Sequence, residues 1–145
     1  MGGRDLTAAR PVLLDTCAAI WLLNGDPIAA GARDAIAVAQ AQNAGVFVSP
    51  ITAWEIATLA VKNRIQLSLS TEVWFDALLA LPGMRLAPMP PNVLIASTAL
   101  PGSPPSDPAD RIIAATACAF GYSIITRNGE LASYARAGHI DVVAC

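Results

Sequence analysis

The stretch Val12-Leu13-Leu14-Asp15-Thr16 indicates how the chain is built. Three consecutive apolar residues are typical of a short strand that is buried on both faces, as the strands of a parallel sheet are. Asp15 ends the apolar run, and a stretch with helical character, residues 16–23, follows directly. We therefore expect a buried strand at 11–15 that turns into a helix, with a carboxylate at the turn.

The same alternation of short apolar runs and longer helical stretches continues along the chain, which is typical of βαβ units around a parallel sheet. The interpretation is a three-layer α/β domain, with Gly25, Gly45, Gly83 and Gly121 ending helices. The predicted strands are 11–15, 46–49, 84–87, 123–126 and 141–144. The predicted helices are 16–23, 27–42, 50–62, 71–81, 92–100, 108–120 and 129–137.

Length and composition limit the kinds of protein this can be. A chain of 145 residues suits one domain with a substantial core. Charged residues make up 14% of it, against about 25% in ordinary globular domains, and hydrophobic residues make up 54%. Two interpretations stay open: an apolar face that a partner covers, or alanine-rich helices that raise the apolar count without making such a face.

Charge and cysteine content exclude several classes of site. A net charge of −2 gives no general basic field, so any nucleic-acid binding must be local. The three cysteines have no paired spacing and His139 is the single histidine, which argues against zinc, disulfides and a histidine-based triad. We expect the cysteines to be small buried residues in a reducing cytoplasm. No apolar run reaches the length of a membrane span and no signal peptide is apparent, so we expect a cytoplasmic protein without membrane contact.

Three carboxylates stand where a ligand site is expected. Asp15 ends the first strand, Glu55 lies early in the helix after the second, and Asp110 lies in the first turn of the helix that leads into the fourth. Helix capping or the helix dipole can explain each one alone. Because open α/β sheets bind ligands at the carboxyl ends of their strands, we expect the three to converge there.

Convergence of three negative charges is unfavourable unless a proton or a cation joins them. Oxygen ligands without histidine or cysteine favour Mg²⁺ or Mn²⁺ over zinc. A magnesium ion held by carboxylates, with positions left open, is suited to hydrolysing phosphodiesters because it activates water and neutralises charge on the phosphoryl group.

Four segments in order along the chain resemble the successive motifs of PIN-domain nucleases, and most of all those of VapC-type toxins. They are Leu13-Leu14-Asp15-Thr16, Ser49-Pro50 to Trp54-Glu55-Ile56-Ala57, Asp107-Pro108-Ala109-Asp110-Arg111 and Ile125-Thr126-Arg127-Asn128-Gly129. The resemblance implies a single PIN domain over 1–145, with a five-stranded parallel sheet of order 3-2-1-4-5. It also implies an Mg²⁺-dependent endoribonuclease, with Mn²⁺ as a possible substitute, that cleaves RNA, dimerises and is inhibited by a VapB-type antitoxin.

The resemblance also implies roles for individual residues. Asp15, Glu55 and Asp110 are expected to hold the metal, and Thr126 is expected to line the catalytic pocket. Asn128 stands where many relatives carry aspartate, so a second metal site is in question. The residues that could replace the missing acid are Asp107 and Glu130, although Asp107 is also a typical helix cap.

A second function stays open because of Asn128: a PIN-like module with weakened catalysis that acts by binding RNA or a protein partner. An RNA cleavage assay with and without Mg²⁺ separates the two. Candidates for phosphate contacts are Lys62, Arg64, Arg111 and Arg127, and the sequence singles out none of them.

Overall fold

The computed structural model describes residues 9–145, and the strands within this range form one parallel sheet of order β3-β2-β1-β4-β5. This confirms the expected strand order. The strands are β1 (Val12–Leu14), β2 (Val46–Val48), β3 (Met84–Leu86), β4 (Ser123–Thr126) and β5 (Asp141–Ala144). All neighbouring pairs are parallel, and β1 lies in the centre between β2 and β4.

Helices separate the strands, as predicted. They are α1 (Thr16–Asn24), α2 (Ala30–Ala41), α3 (Pro50–Val61), α4 (Thr71–Leu79), α5 (Pro91–Ser97), α6 (Pro108–Phe120) and α7 (Gly129–Arg136). In the described part of the chain, none of these helices is long and apolar enough to cross a lipid bilayer.

The start of α2 differs from the prediction. We expected a helix over residues 27–42, but α2 begins at Ala30, and its N-cap residue, Ala29, makes no side-chain capping hydrogen bond. The amide of Asp26 donates to the carbonyl of Trp21 at 2.9 Å, which closes the carboxyl end of α1. Residues 25–29 therefore form the connection between α1 and α2.

Alternating side chains of β1 divide the core into two layers. Val12 and Leu14 pack with residues of α1, α2, α3 and α4, and Leu13 packs with residues of α6 and α7 on the other face. The β4 residues Ile124 and Ile125 follow the same alternation. Helices therefore cover both faces of the sheet, and the carboxyl ends of its central strands meet at one edge.

Two of the four glycines predicted to end helices do so. Gly25 and Gly121 follow α1 and α6 in the left-handed conformation. Gly45 and Gly83 directly precede β2 and β3 instead, and Gln42 and Ala80 are the terminal residues of the helices before them. The prediction is wrong for this pair because each glycine lies four residues beyond the last residue of its helix, Ala41 for α2 and Leu79 for α4.

Two glycine-to-alanine substitutions should change stability in opposite directions. Gly121→Ala should lower the free energy of unfolding by about 1 kcal/mol, because Gly121 has φ 74° and a side chain disfavours that conformation. Gly31→Ala, inside α2 with open space around its Cα, should raise it by roughly 0.5 kcal/mol. Urea unfolding of the two variants and the parent measures both effects, and a loss of stability in Gly31→Ala would contradict the assigned helix.

Candidate active site

The carboxyl edge of the sheet brings polar residues from separate segments together. Leu14 of β1 is paired with Ile125 of β4, so the residues that follow them, Asp15 and Thr126, lie side by side. Ser49 follows β2 at the same edge and caps α3. This is the edge at which we expected the site.

Asp15 is only 5% exposed, and its two carboxylate oxygens have different partners. Oδ1 accepts a hydrogen bond of 2.8 Å from the amide of Ala18, which makes Asp15 the N-cap of α1. Oδ2 accepts a hydrogen bond from the hydroxyl of Thr126. Burial raises the pKa of Asp15, and the hydrogen bonds together with the nearby charge of Arg127 oppose that rise.

Two buried threonines hold the carboxylate of Glu55 in place. Its carboxylate accepts a hydrogen bond from the hydroxyl of Thr16. The hydroxyl of Thr52 lies 3.2 Å from that of Thr16, and Thr52 is fully buried. Burial raises the pKa of Glu55, and the charges of Asp107 and Asp15 raise it further, while the bond from Thr16 lowers it.

Asp110 lies in the first turn of α6, where the side chain of Asp107 caps the helix by accepting from the amide of Asp110 at 3.0 Å. Burial, followed by the charges of Asp107, Glu55, Asp15 and Glu130, raises the pKa of Asp110 to about 7.

A cleft of about 400 Å³ contains all three predicted carboxylates together with Asp107, Arg127 and Asn128. The sequence prediction that Asp15, Glu55 and Asp110 meet at one edge is thus met by the geometry. Their oxygens are a donor set suited to a hard divalent cation. Within residues 9–145, however, no three His, Cys, Asp or Glu side chains form a ready-made metal-binding group. The donor chemistry fits Mg²⁺, and side-chain rotation would have to bring the carboxylates closer.

Asn128 does not occupy the cleft as a free fourth ligand. Its Oδ1 accepts from the amides of Glu130 at 2.8 Å and Leu131 at 3.0 Å, so the side chain caps α7. Its Nδ2 donates to Oδ2 of Asp110 over 3.4 Å. Asn128 therefore joins the start of α7 to the carboxylate on α6.

The two acids considered as replacements for the missing aspartate both make local hydrogen bonds. Asp107 caps α6. Glu130 accepts a hydrogen bond of 2.9 Å from the amide of Ser106 and so holds the loop that precedes α6. In the structure, each has a local role that accounts for it.

The single histidine and the three cysteines lie outside the group of carboxylates that we expect to bind metal. His139 stacks on the ring of Tyr134, with 4.5 Å between centroids, and lies apart from the carboxylates. Cys145 is buried as expected, but the expectation is wrong for Cys17 and Cys118, which are exposed. Cys17 lines the cleft from the first turn of α1, and Cys118 lies in the exposed last turn of α6, residues 118–120.

Sequence reasoning gave no role in the site to Thr52 or Trp21, both of which belong to it or its support. Thr52 precedes Glu55 by three residues and therefore lies on the same side of α3, a spacing that was available as a signal. Trp21 lines the cleft from α1, four residues after Cys17, which also lines it. A spacing of four residues places both side chains on the same side of α1, but it does not reveal that this side faces the cleft.

Comparison with known proteins gives consistent matches. The family model described as PIN domain matches residues 12–137. The chain is 34% identical to Ribonuclease VapC22 of Mycobacterium tuberculosis over 123 residues, which cover 85% of this chain and 91% of that protein.

Solved structures with the same fold are more distant in sequence. A chain of the Rickettsia felis VapBC2 complex with a DNA fragment from its promoter aligns with a TM-score of 0.67 and 14% identity, covering 92% of this chain and 98% of that chain. A chain of the DNA-bound VapBC complex from Salmonella typhimurium aligns with a TM-score of 0.62 and 21% identity, covering 94% and 98%. At these identities the structures support the fold alone.

In the metal-free protein, Asp110→Asn should become more stabilising as pH rises. A carboxyl with a raised pKa contributes stability below its ordinary pKa of 3.8, and that contribution is lost as pH rises through the folded-state pKa of about 7. Asparagine stays neutral throughout. Urea unfolding with EDTA at about pH 5 and about pH 8 measures the change, because these values bracket the folded-state titration. Asp34→Asn, at an exposed position on α2, is the control, and a pH-independent difference for Asp110→Asn would count against the crowding of charge described here.

Proposed function

The chain belongs to the PIN-domain family, and from this we propose that it is an Mg²⁺-dependent endoribonuclease and the toxin of a VapBC-type toxin–antitoxin pair. The observation that carries the proposal is the cleft at the carboxyl edge of the sheet, which Asp15, Glu55 and Asp110 line together. Similarity to a ribonuclease over most of both chains supports the same activity.

We assign metal binding to these three carboxylates. A divalent ion bound there would lower the pKa of a water molecule and neutralise charge on the phosphodiester. Hydroxyl groups of the chain would position the carboxylates that hold this ion. Thr126 donates to Asp15 and Thr16 donates to Glu55, which orients both carboxylates, so the rotation that brings the three closer is left mainly to Asp110, which has one contact of 3.4 Å with Asn128.

Asn128 favours the alternative function, a module with weakened catalysis that acts by binding RNA or a protein. Its side-chain amide is neutral and brings no charge to the cleft. The same amide caps α7 and contacts Asp110. With three carboxylates and one Mg²⁺ the formal charge of the site would be −1, which still suits a single ion. We therefore give preference to a one-metal nuclease.

The surface of the chain supports a protein partner. Trp54 is 62% exposed and Val61 is 82% exposed, both on α3, and Ile95 on α5 is 70% exposed. Apolar side chains this accessible are typical of surfaces that another chain covers. We propose that a VapB-type antitoxin and a second copy of this chain cover parts of this surface, and that a basic antitoxin side chain neutralises the carboxylates.

The charge-removing variants Asp15→Asn, Glu55→Gln and Asp110→Asn should each reduce Mg²⁺-dependent RNA cleavage by at least about a hundredfold, because each removes a ligand on which metal-assisted hydrolysis depends. Gel analysis of single-stranded RNA with Mg²⁺, with Mn²⁺ and with EDTA measures this. Asp76→Asn, an exposed acid on α4, is the matched control and should cleave like the parent. Cleavage that persists in EDTA, or that all three variants retain, would rule out the assigned site. A parent that binds RNA without cleaving it would favour the alternative.

Expression of the chain alone should slow cell growth, and co-expression of the protein encoded beside it should restore growth. The reason is that free nuclease degrades cellular RNA, whereas a partner on the exposed apolar surface excludes substrate and metal from the cleft. Growth curves with the parent and with Asp110→Asn measure the effect. Equal growth inhibition by both forms would show that toxicity does not come from the cleft.

A further inference from the structure

Arg127 is the basic side chain in the acidic cleft. It directly follows β4 and lines the cleft with Asp15, Glu55 and Asp110. The three other candidates for phosphate contacts lie elsewhere or are engaged. Lys62 and Arg64 are exposed beyond the end of α3, and Arg111 donates to the carbonyl of Pro105 at 2.7 Å.

The guanidinium of Arg127 is held on two sides. Its central carbon lies 3.9 Å from the centre of the Trp21 ring, a cation–π contact. Its Nε donates to the main-chain oxygen of Cys145 at 3.0 Å. Trp21 is itself packed against the core, so the ring is a fixed surface for the exposed arginine.

These two contacts leave the outer end of the guanidinium available. In residues 9–145, Arg127 forms no salt bridge, its terminal nitrogens donate to no further oxygen or nitrogen atom, and the one other side chain that contacts the guanidinium by a hydrogen bond is the thiol of Cys145. Several carboxylates share the cleft with it, and none lies within salt-bridge distance of it. An arginine with a fixed plane and two free nitrogens matches the geometry of a phosphate, which accepts two parallel hydrogen bonds.

We propose that Arg127 binds a backbone phosphate of single-stranded RNA beside the carboxylates, and that Trp21 positions it for this contact. The inference rests on the proposed ribonuclease function. It answers a difficulty of that function, since an acidic cleft repels a polyanion and the chain as a whole carries a charge of −2. A purely structural role for Arg127, tying β5 to α1, predicts no effect on RNA binding in a folded variant.

The test measures RNA binding separately from cleavage. Asp110→Asn serves as the background so that a short oligouridylate stays intact, and its dissociation constant is measured across a series of salt concentrations in Mg²⁺. Adding Arg127→Gln should weaken binding on the order of tenfold at low salt. It should also reduce the slope of log Kd against log salt by about 0.7, the share of one phosphate contact with single strands. Adding Arg33→Gln, an exposed arginine on α2, should change neither quantity.

Three further variants separate charge from positioning. Arg127→Lys and Trp21→Leu keep a positive charge in the cleft, so both should weaken binding while leaving the salt slope nearly unchanged. Trp21→Phe keeps a ring under the guanidinium and should restore part of the lost affinity. Near-ultraviolet circular dichroism checks that each variant is folded. If Arg127→Gln does not fold, Arg127→Lys decides, and parental affinity in that variant overturns the proposal.

The outcomes distinguish this inference from the proposed function. If the parent cleaves RNA in Mg²⁺ while Arg127→Gln binds with parental affinity and slope, the arginine contact is refuted and the nuclease assignment stands. If Arg127→Gln and Arg33→Gln weaken binding equally, the effect is general charge and the contact is again refuted. If the parent binds RNA through Arg127 but cleaves none, the arginine contact is supported and the nuclease assignment is refuted. If the parent cleaves no RNA and neither the parent nor the Asp110→Asn background binds it, both the contact and the nuclease assignment are overturned.

Discussion

A carboxylate buried at the end of the central strand is the constraint on which the other parts of the site depend. Asp15 is 5% exposed, and a buried charge is costly unless hydrogen bonds or an opposite charge compensate for it. The amide of Ala18 and the hydroxyl of Thr126 provide the hydrogen bonds, and Arg127 provides a nearby positive charge. The first helix, the fourth strand and the residue after that strand are thus all arranged around one side chain.

The three carboxyl groups of the site differ in the hydrogen bonds that compensate for their charge. Hydroxyl groups donate to Asp15 and Glu55, but the donor nearest to Asp110 is the amide of Asn128 at 3.4 Å, a long contact. Asp110 is therefore the carboxyl with the least compensation, and it has the pKa of about 7. Electrostatic crowding of this kind is common at functional sites, because the groups are arranged for a ligand rather than for the stability of the free protein.

Several polar side chains of the cleft are held in place because they cap the first turn of a helix. Asp15 caps α1, Asp107 caps α6 and Asn128 caps α7, so three of the polar side chains in the cleft are anchored to backbone amides. A capping side chain has little freedom to rotate, since its oxygen is committed to the helix. For Asn128, capping also accounts for an uncharged residue at this position, because an amide oxygen caps a helix as well as a carboxylate does.

The sequence by itself determined the α/β class, the strand positions and the carboxylates at strand ends and helix starts, because apolar periodicity and capping residues are local signals. Its motif resemblance also anticipated the strand order. Only the tertiary structure decided that α2 begins at Ala30, that Asn128 faces Asp110, and that Arg127 rests on Trp21. Trp21 and Arg127 are separated by more than one hundred residues in the chain, and no local pattern marks such a pair. Their contact exists because the parallel sheet places β4 beside β1, which brings the residue after one strand over the helix that follows the other.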